Sequence, residues 1–351
     1  VSGPSSSGGT GIYISAGSAL TISNNKITGN TNYVAGLGGG VYITSSTPLI
    51  LNNVITNNSP GTFGEGAGIY VSSASPLIKG NNIISNISYG SGIYVTGSSS
   101  SPRILNNVIA KNKEGGIECV GSSKARIINN TISDNTLDGI LISSAAPDSI
   151  INNIISLNSN YGINESGTTS DPGKGWYNLF YSNGAGVYRD EGSTDYYTSA
   201  TMNSGVAECK NNLDGDPMFV DNVNGDYHLR SGSPAINAGD PGSPLDPDGT
   251  RADIGAFYYA QAASVPSLPS LSSPSDGASS QPTTLSLSWG TSAAATKYHL
   301  QVSTSSAFTT VVVDDSSLTG TSKSVGPLAN GATHYWRVRA ADICGNLNEG
   351  S

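Results

Sequence analysis

"GGGVYITSSTPLILNNVITNN" occupies residues 38–58, and "GAGIYVSSASPLIKGNNIISN" occupies residues 66–86, a displacement of 28 residues. Both lines carry a short apolar strand with a central Tyr, a Ser-rich turn closed by Pro, a second apolar strand, an Asn pair and a third apolar strand. Such self-similarity has to be read before any single residue, because a fixed period defines the whole architecture.

The opening strand recurs at Ile12-Tyr13-Ile14, Val41-Tyr42-Ile43, Ile69-Tyr70-Val71, Ile93-Tyr94-Val95, Ile117-Glu118-Cys119 and Ile140-Leu141-Ile142. The period shortens from about 28 to about 23 residues along the chain. The Asn pairs fall at Asn24-Asn25, Asn52-Asn53, Asn81-Asn82, Asn106-Asn107, Asn129-Asn130 and Asn152-Asn153. Three short strands without helical periodicity cannot bury an apolar face alone. Stacked units solve this, since each backbone pairs with the coils above and below and the inward Ile, Val and Leu make one core. Asn tolerates left-handed backbone angles, and its amide can bond an equivalent Asn along the axis. The spacing predicts a ladder of Asn25, Asn53, Asn82, Asn107, Asn130 and Asn153, and at least six coils over residues 11–160.

These repeats resemble the right-handed parallel β-helix of the pectate-lyase-like superfamily, where an Asn ladder marks the turn between second and third strands. The resemblance implies an all-β solenoid and speaks to fold, since one fold hosts many activities. Residues 175–260, with "GWYNLFYSNGAGVY" (175–188) and "DPDGTRADIGAFYY" (246–259), resemble the irregular last coils and C-terminal cap of secreted bacterial β-helix proteins. Trp176, Phe180, Phe219 and Phe257 are expected to seal the open end of the core. Residues 261–270 read as a Ser/Pro linker. Residues 271–351 carry alternating strands ("LSLSW", "KYHLQVS", "TTVVVDD", "HYWRVRA") and resemble a fibronectin type III sandwich, with Trp289, Tyr298, Leu328, Trp336 and Val338 as its core. His334 stands where that family has a corner tyrosine, and the last edge strand is missing.

The net charge of −9 argues against nucleic acid and anionic membrane surfaces as partners. No apolar run is long enough to span a membrane. Cys119, Cys209 and Cys344 are odd in number and far apart, so no disulfide framework is implied. Asn57, Asn86, Asn129 and Asn164 begin glycosylation triplets, which chance accounts for in so Asn-rich a chain. The chain reads as a processed or trimmed piece of a secreted protein, found outside the cell or at its surface.

In the resembling enzymes the substrate cleft runs along the first strands. Here the outward residues of those strands form the column Tyr13, Tyr42, Tyr70, Tyr94, Glu118 and Leu141. Aligned tyrosines would stack on sugar rings, on a protein surface, or simply on one another. Glu118 is the single acid/base candidate and stands alone, while Lys113, Glu114 and Asp138 lie scattered on nearby turns. Family lyases need acidic calcium ligands and a basic residue, and hydrolases need paired carboxylates. The Asp-Asp and Gly-His-Gly signatures of polygalacturonases are absent. Asp246, Asp248 and Asp253 resemble part of a calcium loop, with Asp214, Asp216, Asp221 and Asp226 as a second acidic group and Asp as turn former the plainer reading. The chain is therefore expected to be a non-enzymatic adhesive or structural surface protein needing no cofactor. The alternative is a polysaccharide-binding or lyase-type polysaccharide-degrading protein. Expected partners are copies of itself, other surface proteins or polysaccharide. Neighbouring copies are expected to cover the coil end at Val1–Thr10 and the sandwich edge at Tyr335–Ala340, head to tail, as in a filament.

Overall fold

The computed structural model describes residues 11–15, 20–31, 36–61, 64–87, 89–261, 266–293 and 295–341. The N-terminal residues invoked for the head-to-tail contact, the C-terminal edge beyond Ala341, and Cys344 lie outside them. The chain divides into two compact units: residues 1–246 with 251–259, and residues 247–250 with 260–351.

The first unit is a parallel β-solenoid. Among the described residues three sheets run along it, of nine, eight and eight strands, and each takes every third strand in order until the last coil. The opening sheet contains Ile12–Ile14, Val41–Thr44, Ile69–Ser72, Ile93–Thr96, Ile117–Val120, Ile140–Ser143, Tyr161–Glu165 and Gly186–Asp190. All of these are parallel; only the ninth strand, Thr194–Tyr196, is antiparallel and forms a hairpin with Gly186–Asp190. Seven coils are regular, and the eighth is interrupted by that hairpin and by the short helix Ser199–Gly205. The regular ladder thus continues past residue 160, through Gly175–Trp176 and Leu179–Tyr181, to Leu213–Asp214.

The strand alternation decides what is buried. In Val41–Thr44 the first and third residues face inward, and Tyr42 faces out. In the second and third strands the middle residue faces inward. This gives unbroken columns such as Ile50, Ile78, Ile104, Ile127 and Ile150, all fully buried. β-Branched Ile suits a pleated core of this kind. Just before each opening strand a Gly is required: a Cβ on Gly68 would stand 2.5 Å from the Gly92 carbonyl of the next coil.

Two amide ladders clamp the corners. At the first, the backbone N–H and side-chain amide of each Asn donate to the next Oδ1, from Asn25 through Asn53, Asn81, Asn107, Asn130, Asn153 and Asn178 to Asn212. Each side chain from Asn53 onward also donates to the carbonyl of an inward residue one coil back, as Asn53 does to Ile22 at 2.9 Å. The rung in the third coil is Asn81 and not the expected Asn82. Gly80 takes the left-handed position (φ 69°) that Asn52 fills one coil earlier (φ 54°), so the Asn pair is displaced by one residue and Asn82 opens the exposed edge of a strand. The second ladder, at the end of the third strands, runs Asn30, Asn58, Asn86, Asn112, Asn135, Asn158 and Asn183.

The C-terminal end of the core is not closed by Trp176, Phe219 and Phe257. Met202, Val206, Cys209 and Tyr188 complete the core cluster there, with Tyr196 packed against it, so the hairpin and helix form the seal. Of the expected aromatics only Phe180 belongs to it. Phe219 and Phe257 instead pack with Val108, Ala110, Tyr227 and Ala256 on the outside of the third-strand sheet, where residues 215–246 and 251–259 fold back along the solenoid. An eighth coil widened by an insertion carries its own lid, which no aromatic count reveals.

Among the described residues the second unit holds two three-stranded antiparallel sheets. One orders Leu271–Ser273, Leu285–Trp289 and Ser322–Val325; the other orders Val311–Leu318, Lys297–Ser303 and Tyr335–Ala341. Trp289, Tyr298, Leu300, Val302 and Val338 are buried in one shared core, with Leu328 and Trp336 packed against it.

Candidate functional site

The tyrosine column forms as the register requires. Tyr13, Tyr42, Tyr70 and Tyr94 stack with ring centroids 5.1, 5.1 and 5.2 Å apart and planes within 9°. That spacing is close to the strand separation of about 4.8 Å. The rings therefore cover one another's faces, and the faces of Tyr42 and Tyr70 are closed to sugar stacking. Tyr70 is itself buried. Burial, and then the neighbouring Tyr42, push its hydroxyl up to about 12. The column is a rigid wall that offers ring edges and hydroxyls.

Above Tyr94 the same register continues with Glu118, Leu141, Asn164 and Arg189. Glu118 is not alone. Burial raises its carboxyl to about 7, against a hydrogen bond from Ser91 Oγ at 2.9 Å, and the charges of Glu65, Glu114 and Asp138 raise it further. Asp138 accepts from Asn160 Nδ2 at 2.7 Å, the Tyr161 N–H at 3.0 Å and Asn164 Nδ2 at 3.1 Å. Burial still raises its carboxyl, while these donors and the Arg189 charge pull the other way. Glu114 accepts from the Gly90 N–H at 3.0 Å. Glu65 reaches Tyr94 by a hydrogen bond from the loop that follows the third strand, and is raised by burial and by Glu114. Arg189 lies over the Tyr161 ring at 5.4 Å and donates to the Gly192 carbonyl at 2.9 Å.

The four tyrosines and Glu118 thus stand on one face as expected, and the structure gathers Glu114 and Asp138 there as well. Glu65, Asn164 and Arg189 are additions. Glu65 belongs to a long turn with no periodic signal, and Asn164 and Arg189 come from coils whose period the sequence obscures. Chemically, a carboxyl half-protonated near neutrality beside other carboxylates is able to pass a proton or accept hydrogen bonds from hydroxyls.

The Asp246–Asp253 carboxylates accept hydrogen bonds from the surrounding chain. Asp253 accepts the Asn237 and Tyr259 N–H groups, each at 2.6 Å, and Asp246 accepts the Asp253 N–H at 2.8 Å. Asp248 accepts from Thr250 and from the Gln261 N–H at 3.1 Å. Among the described residues no group of three or more His, Cys, Asp or Glu is placed to hold a metal ion. Also among the described residues, no helix is long and apolar enough to cross a membrane.

A solenoid of parallel coils with Asn at two corners defines a class, the right-handed parallel β-helix. The family described as "Right handed beta helix region" matches residues 5–101 and 67–212, more than half of the chain, and the chain belongs to it. Among solved structures it is similar to pectate lyase Pel9A, at 16% identity over 71% of this chain and 68% of that one, with a TM-score of 0.46. It is also similar to the periplasmic alginate epimerase AlgG, at 16% identity over 46% of this chain and 51% of that one, with a TM-score of 0.28. No curated protein matches the chain.

Proposed function

We propose that the chain is a non-catalytic extracellular surface protein that binds polysaccharide along its opening-strand face, with the second unit a fibronectin type III-like spacer. One observation carries the reading: the outward column from Tyr13 through Tyr94, Glu118 and Asn164 to Arg189 repeats a polar group at each coil except at Leu141. A strip that repeats along an axis suits a polymer that repeats along its own. Hydroxyls, amides and carboxylates are the partners that sugar hydroxyls take. The four carboxylates on the strip favour neutral chains over polyuronates. The test is affinity electrophoresis of the full chain in neutral β-glucan, xylan and mannan. Retardation by one of them, reduced in Asn164→Ala, is the expected result; free migration in all three contradicts the reading.

A second reading rests on Glu118, whose carboxyl is held at about 7 in a group of four. It makes the same face a glycosidic-bond cleaving site with Glu118 as proton donor. Release of reducing or unsaturated ends that disappears in Glu118→Gln would establish it in place of the first. Copies joined head to tail belong to the proposal too, and sedimentation against concentration tests them.

A further inference from the structure

The outer face of the second-strand sheet is the chemical opposite of the strip just described. Two columns of side chains point outward there. One runs Leu49, Leu77, Arg103, Arg126 and Ser149, with Lys174 next in register; the other runs Lys79, Leu105, Ile128, Ile151, Trp176 and Lys210. From Lys79 to Lys174 and Lys210 the charged residues of these two columns are basic, and only at its far end does the first column reach an acid, Glu208, in a chain whose net charge is −9. Arg103 and Arg126 are direct neighbours on adjacent strands, an arrangement that costs energy when both stay solvated and unpaired. Arg126 is offset by exposed Asp148 at 2.6 Å, and Glu208 lies beside Lys174 in register. Among the described residues Lys79, Arg103, Lys174 and Lys210 have no ion pair. Between the cations lies a half-buried apolar stripe of Leu105, Ile128 and Ile151. It ends at Trp176, with Lys210 Nζ 3.8 Å and Lys174 Nζ 4.8 Å from the ring centroid.

We infer that this face binds an anionic polysaccharide, laid along the solenoid axis. Its carboxylate or sulfate groups meet Lys79, Arg103, Arg126, Lys174 and Lys210, the apolar faces of its sugar rings lie on the stripe, and Trp176 holds the Lys210 and Lys174 ammonium groups in position at its end. Lys79, Arg103 and Arg126 put one cation on each of three successive coils, and after Ser149 and Ile151 on the next coil Lys174 and Lys210 resume the series, so charge runs along the axis as it does on a linear polyanion. The overall negative charge does not prevent this, because charges farther than about 8 Å are screened at physiological salt and the basic columns act locally. This surface is separate from the opening-strand face, so the two readings stand or fall independently.

The test is binding of the full chain to immobilised polygalacturonate and to heparin, with neutral β-glucan, poly-L-glutamate and phosphatidylserine vesicles in parallel. Polygalacturonate or heparin should bind, weaken with added salt, and weaken roughly tenfold in Arg103→Glu. Trp176→Ala should weaken polygalacturonate or heparin while leaving the neutral glucan arm unchanged. Circular dichroism of each variant should match the parent, since all these side chains are at the surface. Failure of both anionic glycans to bind at low salt overturns the inference, as does unchanged binding in Arg103→Glu. Poly-L-glutamate binding as tightly as the glycans would make the face a general polyanion surface, and vesicle binding a lipid one; either overturns the assignment to polysaccharide.

Discussion

Asn203 Oδ1 accepts from Asn212 twice, from the backbone N–H at 3.1 Å and from the side-chain amide at 2.8 Å. The acceptor sits on the short helix Ser199–Gly205 and the donor is the last rung of the first ladder. The helix therefore supplies the acceptor that the next coil would have supplied. Asn203→Ala leaves the Asn212 backbone N–H without a partner and its side-chain amide with the Gly175 carbonyl alone, at a cost of about 1–3 kcal/mol when nothing replaces the lost acceptor. Hydrogen exchange should speed up across residues 209–214 and stay unchanged in the middle coils. Equal exchange at residues 209–214 in variant and parent would show that the helix does not close the ladder.

Asn81 and Asn82 are adjacent and differ in consequence. Asn81 donates to Ile50 and Asn107 and accepts twice from Asn53. Asn81→Ala should lower stability by about 2–4 kcal/mol, with buried donors left on both sides. Asn82→Ala, on the exposed edge, should stay within about 0.5 kcal/mol. Thermal unfolding of the two variants decides it.

Glu165 occupies an inward position of the opening sheet, in register with Ile142, and is 1% exposed. It accepts a hydrogen bond from Tyr188. Burial raises its carboxyl to about 8; Asp190 and Asp171 add to this, and Tyr188 and the Glu191 backbone oppose it. The folded state therefore holds a proton that the unfolded chain releases near pH 4.3. The associated stability is fully present below that range and is lost as pH rises to about 8, a change on the order of 5 kcal/mol. Chemical unfolding at stepped pH should show this decline, and Glu165→Gln should flatten it. A wild-type profile no steeper than that of the variant would refute the buried proton.

The Asp246–Asp253 loop distinguishes an ion site from a hydrogen-bonded turn. Since Asp253 already holds two N–H groups at 2.6 Å, EDTA should leave the melting temperature unchanged, while Asp253→Ala should lower it by several degrees. A calcium-dependent rise in melting temperature would place an ion in that loop.

The solenoid, its inward columns and the tyrosine face were legible in the residues because each obeys a period. What escaped was aperiodic or displaced. Gly80 replaced an Asn at a left-handed corner and shifted the rung from Asn82 to Asn81. The eighth coil carried an insertion, so its Asn178 and Asn212 rungs stand 34 residues apart. Glu65 comes from a loop, and only three dimensions bring it to Tyr94 and near Glu118.

The second-ladder spacing falls from 28 to 23 residues while no rung is lost. Coil length therefore varies at places the ladders do not need, chiefly between the end of a third strand and the Gly before the next opening strand. That corner is a socket. A foreign peptide spliced after Asn112 or Asn135, in the tighter coils, would lengthen them toward the form the early coils already have, at an entropic cost that grows only slowly with its length. Such a loop would emerge on the tyrosine side, so display scaffolds built on this solenoid would line their grafts along one edge, one per coil.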